Sequence, residues 1–372
     1  MKRPNNPFVL TGYYGTSWFC DREKELSALK DHLKNDRNVV IHSWRRMGKT
    51  ALIRRLFDQL TTDRWEVLYV DLLVTKSLDE AIRAITLGVH EAYGKTSSGF
   101  SEQLRKLFSL VGMSIGFDAH SGAPELSFQL KPGAVPARSL EAIGKFLTAR
   151  KKRVVIALDE FQQVSGYGEE HAEATFRTWM QAFPKIRFIY SGSNRHLMRA
   201  IFTEEKRPFY RSSQLIGLNP LDERVYRAFI RTHFRKGKRI FGDALITRLY
   251  GWARGQTYAI QLVCNHVYGR GGPITDAVLD EVLSQILDQE TPVYANYQKI
   301  LPGAQWDLMK AVAKEESLKN PMGNEFLTAH RLGAASSVSA ALKSLMKKDI
   351  ITEEEGVYRI HDVLLGRWLD RL

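Results

Sequence analysis

Apolar runs of strand length recur along the first 220 residues, separated by longer stretches with helical spacing. The first, Val39-Val40-Ile41, passes through a basic loop into the start of a helix within Asn38 to Leu52. Trp65 to Leu73 (WEVLYVDLL), Arg153 to Glu160 (RVVIALDE) and Ile186 to Ser191 (IRFIYS) follow. Five consecutive apolar residues, Val154 to Leu158, describe a strand covered on both faces, as in a parallel sheet. Phe19 to Leu33 places Leu26, Leu29 and Leu33 on one helical face, with Asp21 as the expected N-cap. Ala51 to Leu60, Leu78 to Tyr93, Leu140 to Thr148 and Ala172 to Phe183 are also read as helices. Helices alternating with apolar strands predict an α/β unit around a parallel sheet.

The pattern changes between Gly94 and Ser139. A helix around Glu102 to Val111 is expected there, then two alternating segments, Met113 to Phe117 and Glu125 to Leu130, joined by His120 to Pro124. These read as an inserted hairpin, which suits contact with a partner or serves as an inert decoration. From Leu221 the chain is helix-rich, with helices expected at Asp222 to Phe234, Gly242 to Tyr250, Gln256 to Val267 and Thr275 to Asn296. Further on, Ala304 to Lys314, Asn324 to Arg331 and Ser336 to Lys348 read as three helices. Ile350 to Ile360 reads as a strand pair turning at Glu353 to Gly356, which completes a winged helix-turn-helix. The expected division is a core over residues 1–220 carrying the 94–139 insertion, a helical lid over 221–300 and a winged helix over 301–372.

The loop after the first strand carries the sharpest chemistry. Gly48-Lys49-Thr50 ends a G-x-x-x-x-G-K-[ST] pattern in which Ser43 stands where the first glycine is usual. In such a loop, backbone N–H groups and a helix N-terminus form a concave donor surface for phosphate oxygens. Lys49 would neutralise the β and γ phosphates, and the Thr50 hydroxyl would ligate magnesium. Asp159 and Glu160 end the RVVIALDE strand, at the edge where open α/β sheets bind ligands. Asp159 is the expected magnesium partner, and Glu160 the group that orients or deprotonates the attacking water. Ser193 or Asn194, in the turn after IRFIYS, could hydrogen-bond the γ-phosphate or simply cap the next helix. Arg207 and Arg211 are candidate arginine fingers, with a basic surface loop as the competing explanation. Arg254 is a candidate phosphate sensor at the head of a lid helix.

Composition narrows the class without changing this picture. With 372 residues, 44% apolar and 26% charged, the chain is long enough for two or three well-packed units and has an ordinary globular balance. No apolar run has the length of a membrane span. Met1-Lys2-Arg3 is followed by Pro4 to Pro7 and not by an apolar stretch, so no secretory signal is read and a cytoplasmic protein is expected. Cys20 and Cys264 belong to no metal-ligand spacing and are expected to be buried free thiols. Lysine and arginine total 54 against 41 acids, a net charge of +13. That favours an acidic partner, which nucleic acid, nucleotide phosphates and acidic proteins all satisfy. On the third helix of the winged region, Ser336, Ser337 and Ser339 with Lys343, Lys347 and Lys348 could face DNA, whereas Glu353 to Glu355 at the wing tip would repel it.

Taken together, these motifs resemble the archaeal-type ATPase family, AAA-related P-loop NTPases grouped with the STAND signalling ATPases. FCDREKELSALKDHL resembles the family's F-x-G-R-E-x-E-L-x-x-L entry helix, with Asp21 in place of glycine and Arg22, Glu23, Glu25 and Leu26 matching. SWRRMGKTALI is similar to its G-x-R-R-x-G-K-T-S-L-L loop, including Arg45 and Arg46, and ALDEFQQV to its Walker B segment. YRIHDVLLGRWL resembles the closing Y-x-I-x-D-P-x-L-x-x-W segment, with Val363 where proline is usual. Two elements depart further: Arg254 to Thr257 is a reduced form of the lid's Gly-Gly-x-Pro, and RPFYRSS follows S-P-L-Y-G-R only roughly. The resemblance implies a P-loop NTPase sheet with a helical lid and a C-terminal winged helix. It further implies ATP and Mg2+ as ligands, with Arg22 near the adenine. Ser43, Arg45, Arg46, Met47, Gly48, Lys49, Thr50, Ala51, Ser193 and Asn194 would line the nucleotide, and Arg211 would be the finger. The expected activity is an ATP-binding and hydrolysing switch in which nucleotide state controls docking of the lid and winged helix, with a protein partner or a homo-oligomer among the candidate partners. A DNA-binding AAA-type ATPase is the alternative.

Overall fold

The computed structural model describes residues 4–94, 104, 107–109, 113–117, 124–128 and 136–372. Its contacts divide the chain into two compact units, Arg22–Asn219, and Met1–Asp21 together with Pro220–Leu372.

In the first unit, strands β1 (Val39–His42), β2 (Glu66–Asp71), β3 (Met113–Phe117), β4 (Pro124–Phe128), β5 (Val154–Asp159), β6 (Ile186–Gly192) and β7 (Gln214–Gly217) follow one another along the chain. Five of them form one sheet in the order β2-β5-β6-β1-β7, and every pairing in it is parallel. The central strands are the fully covered ones: each residue of β1, β5 and β6 is buried. Helices Glu23–Lys34, Lys49–Thr62, Leu78–Tyr93, Pro136–Thr148, Ala172–Ala182 and Arg195–Thr203 belong to this unit. One cluster of Phe161, Tyr190, Phe202 and Phe209 packs with ring centroids 4.6 to 6.2 Å apart, next to the end of β5. Burying such rings is worth about 1.5–3 kcal/mol each, so the cluster stabilises the region where β5 ends.

Two local readings are corrected. Asp21 does not cap the entry helix: the N-cap is Arg22, in left-handed backbone with no side-chain cap bond. The edge strand β7 (Gln214–Gly217), to which the sequence reading assigned no element, is short and largely exposed. The inserted hairpin pairs Met113 with Phe128 through Phe117 with Pro124, antiparallel. Its joining residues 118–123, residues 129–130, and most of the helix expected at 102–111 lie outside the described residues.

The second unit begins with the leader, which the sequence reading attached to the sheet domain. Phe8 is fully buried against Phe234, His233 and Tyr268, at 5.1, 5.7 and 5.9 Å between centroids. Asn265 Nδ2 donates to the Phe8 carbonyl at 2.7 Å, and Asn6 Nδ2 donates back to the Asn265 carbonyl at 2.9 Å. These contacts tie the leader to helix Thr257–Arg270. Helices Glu223–Lys236, Asp243–Trp252, Asp276–Ile300, Gly303–Glu315, Asn324–Ala329 and Ala335–Lys347 follow, then β8 (Ile351–Glu354), β9 (Val357–Ile360) and helix Val363–Asp370.

Packing within the second unit is continuous across residue 300. A single hydrophobic cluster runs from Tyr226 and Val263 through Leu308 to Leu364 and Leu369. Across it, Trp368 Nε1 donates to Thr291 Oγ1 at 2.9 Å and Arg367 Nε to the Trp252 carbonyl at 3.0 Å. β8 and β9 pair antiparallel, and Leu318 adds one bridge to Tyr358. Part of the basic excess does structural work here. The Arg239 guanidinium donates to the carbonyls of Val267, Tyr268, Gly271 and Gly272 at 2.9 to 3.1 Å, satisfying the last carbonyls of a helix and its negative dipole end. Cys264 is buried, while Cys20 is half-buried, and no disulfide joins them.

Candidate nucleotide site

β1 leads into the loop and helix Lys49–Thr62 begins at its far end. The turn between them uses left-handed backbone at Arg46 (φ +65°) and Gly48 (φ +89°). Gly48 has nothing within 4 Å of where a Cβ would sit, so its glycine answers the backbone angle and not a lack of room. Met47 is buried beneath the loop, whereas Arg45, Arg46 and Thr50 are exposed and Ala51 is half-buried.

Lys49 is 6% exposed, and its Nζ donates to Ser43 Oγ at 3.4 Å and to the Trp44 carbonyl at 3.3 Å. Ser43 Oγ in turn donates to the Trp44 carbonyl at 2.9 Å. Serine at the usual glycine position therefore supplies a resting partner for the ammonium. Burial lowers the Lys49 pKa; the charges of Glu160 and Asp159 oppose that shift and Arg45 adds to it.

Asp159, at the carboxyl end of β5, accepts hydrogen bonds on both oxygens. Oδ2 accepts from Thr50 Oγ1 at 2.9 Å and from the Tyr69 hydroxyl at 2.6 Å, and Oδ1 accepts from the Glu160 amide at 3.0 Å. Tyr69 comes from β2, and its ring carries the Arg54 guanidinium 3.9 Å from its centroid. Burial first, then the Asp159 charge, pushes the Tyr69 phenol well above its usual range. Asp71 lies opposite Asp159 in register, and burial raises its carboxyl pKa.

Glu160 adopts left-handed backbone (φ +54°) as the N-cap of the 3-10 turn Phe161–Gly166. Its Oε2 accepts from Ser193 Oγ at 2.7 Å and from Gln162 Nε2. Ser193, a candidate for the γ-phosphate, thus lies on Glu160, and Asn194 caps helix Arg195–Thr203 by accepting from the Leu197 amide at 2.8 Å. Arg22 is buried and its Nη1 pairs with Glu25 at 2.7 Å. Arg211 is exposed in left-handed backbone near the Tyr210 ring, while Arg207 is tied to Glu173 at 2.6 Å and Glu204 at 3.3 Å. In the other unit, Arg254 donates to the Ile360 carbonyl at 3.3 Å, and burial followed by Arg367 and Arg359 lowers its pKa to about 10.

The tertiary structure therefore brings Lys49, Thr50, Asp159, Glu160 and Ser193 to one end of the sheet. Tyr69 and Gln162 join them and escaped the sequence reading. Tyr69 lies in a strand with no local motif around it; Gln162 stands two places after Glu160, where only its bond to that carboxylate marks it. The hydroxyl and the carboxylate are oxygen donors suited to a hard cation, and the buried ammonium is suited to phosphate oxygens. Among the described residues no group of three or more His, Cys, Asp or Glu could hold a metal by itself.

Residues 19–263 match the model of the ATPase domain predominantly from Archaea. The chain belongs to this ATPase family. Residues 292–371 match a probable winged helix domain, in line with the helices and strand pair found there. No curated protein matches the chain. Among solved structures, the Walker-type ATPase PABY2304 of Pyrococcus abyssi superposes with a TM-score of 0.68 at 19% identity, over 98% of this chain and 100% of that one. The ORC2 protein of Aeropyrum pernix, solved in ADPNP-ADP complexes, gives 0.64 at 13% identity over 98% and 96%. The ORC1 protein of the same organism, in complex with DNA, gives 0.50 at 12% over 99% and 96%. These likenesses establish for the archaeal-type ATPase chain a P-loop NTPase fold with a C-terminal winged helix. No described helix is long and apolar enough to cross a membrane.

Proposed function

We propose that this chain binds ATP with magnesium and hydrolyses it, the nucleotide state serving as a switch. The observation that carries the reading is the convergence at one sheet end of a buried Lys49, the Thr50–Asp159 pair and a Glu160 carboxylate held beside Ser193. Lys49 would exchange its weak resting contacts for phosphate oxygens, a gain because its ammonium is already desolvated. Thr50 and Asp159 would hold the magnesium ion, which neutralises charge on the phosphates when bound. Glu160 would orient and deprotonate the attacking water. Loop amides from Ser43 to Ala51, with Arg45, Arg46 and Met47, would cradle the phosphates; Arg22 would lie toward the adenine, Ser193 and Asn194 toward the γ-phosphate, and Arg211 would serve as the finger. ATP or ADP binding in this chain accords with the nucleotide complexes of the ORC2 protein. The test is a pair of variants. Lys49→Ala abolishes nucleotide binding, while Glu160→Gln keeps binding and loses turnover; normal turnover in Glu160→Gln refutes the role given to Glu160.

A second reading, DNA engagement, has its own observation. Ser336, Ser337, Lys343 and Lys347 are exposed along helix Ala335–Lys347, and the similar ORC1 protein was solved with DNA. Glu354 and Glu355 are exposed on the wing and oppose it. A duplex titration at two salt concentrations decides, since phosphate contacts weaken steeply with salt. No binding at low salt removes this reading.

A further inference from the structure

We infer that Gln162 is a positioning residue for Glu160, fixing which carboxylate oxygen is offered to the attacking water; the inference rests on the ATPase reading above. Two donors, Gln162 Nε2 and Ser193 Oγ, share Oε2 of Glu160. Among the described residues no hydrogen bond reaches Oε1. A carboxylate held this way cannot swing freely about its terminal torsion, and the oxygen without donors is the one whose lone pairs stay available to a water proton.

The surroundings of Gln162 show that this placement is built. The side chain is 8% exposed, and its Oε1 is buried with no hydrogen-bond partner among the described residues. A buried unpaired carbonyl is costly, so a plain packing role would favour an apolar side chain here. Reversing the amide would set oxygen against the Glu160 carboxylate, so the donor end faces Glu160 on chemical grounds.

Space for the amide comes from Gly192, the last residue of β6. A Cβ on Gly192 would lie 2.2 Å from Gln162 Oε1 and 2.5 Å from Met198 Cγ. Two consecutive residues of one strand end therefore shape the same carboxylate. Gly192 makes room for one donor and Ser193 supplies the other.

The experiment compares Gln162→Leu, which keeps bulk and removes the donor, with wild type and with Glu160→Gln. Four quantities are measured: affinity for a fluorescent ATP analogue with magnesium, capture of ADP with aluminium fluoride, turnover, and thermal stability. Gln162→Leu keeps analogue affinity within about twofold, loses turnover by roughly 10- to 100-fold, and captures ADP–aluminium fluoride more weakly by a similar factor. In the Glu160→Gln background the Gln162→Leu change adds no further loss to that capture, because the two residues act as one unit. Gly192→Ala, which displaces the amide by steric contact, reproduces the pattern. Wild-type turnover and capture in Gln162→Leu overturn the inference, as does a parallel fall of analogue affinity and thermal stability. Absence of turnover in the wild type would instead overturn the ATPase reading itself.

Discussion

The Tyr69 hydroxyl and the Asp159 carboxylate meet at 2.6 Å, joining two adjacent strands at the sheet end where Thr50 also bonds Asp159. Tyr69 is 90 residues from Asp159 in the chain, yet parallel pairing of β2 with β5 brings it alongside. Tyr69→Phe keeps the ring under Arg54 and removes one donor from a charged acceptor. The expected loss is about 1–2 kcal/mol of stability, read as a lower denaturant midpoint with unchanged slope. An unchanged midpoint would mean the bond contributes nothing net.

Acidification should weaken the first unit through His42. Burial, then Arg195 and Arg199, lowers its pKa to about 4. Because the folded-state value lies below the unfolded one, the unfolded chain binds more protons over the interval between them. The His42 contribution is therefore fully present above pH ~6.5 and lost as pH falls toward 4. Between pH 7 and 5 this amounts to about 2 kcal/mol. Denaturant melts of the wild type and His42→Gln at both pH values check it: the pH-dependent loss shrinks in the variant.

Phe8→Ala should be among the most damaging changes in the second unit. Phe8 is fully buried in an aromatic cluster, and truncating such a ring costs about 3–5 kcal/mol. Calorimetry reads this as a lowered transition temperature. Indifference to the change would place the leader outside the helical unit.

Arg207 and Arg211 separate by experiment. Arg207 is committed to Glu173 and Glu204, so Arg207→Ala lowers stability by about 1 kcal/mol. Arg211 is exposed and engages the Tyr210 ring. Arg211→Ala leaves nucleotide affinity within about twofold and lowers turnover by about a thousandfold if it serves as the finger. Wild-type turnover in that variant removes Arg211 from the site.

The sequence by itself determined what depends on neighbours in the chain. A glycine and lysine at a strand-to-helix turn, a run of five apolar residues ending in Asp159-Glu160, and helical periods between them specify a parallel sheet with a candidate phosphate site at its carboxyl edge. Those signals are local because backbone angle and burial period are local. The tertiary structure decided the rest. Tyr69 and Gln162 reach the Asp159 and Glu160 carboxylates through strand register and the room left by Gly192, neither of which a linear pattern contains. Strand β7 exists because the edge of β1 offers it backbone partners, although its own four residues carry little strand signal. The leader packs with residues more than 200 positions away because Phe8 finds its burial there, and helices 221–300 share a core with the winged helix because their apolar faces meet in one cluster. Such allegiances follow from which surfaces meet, and composition along the chain does not encode them.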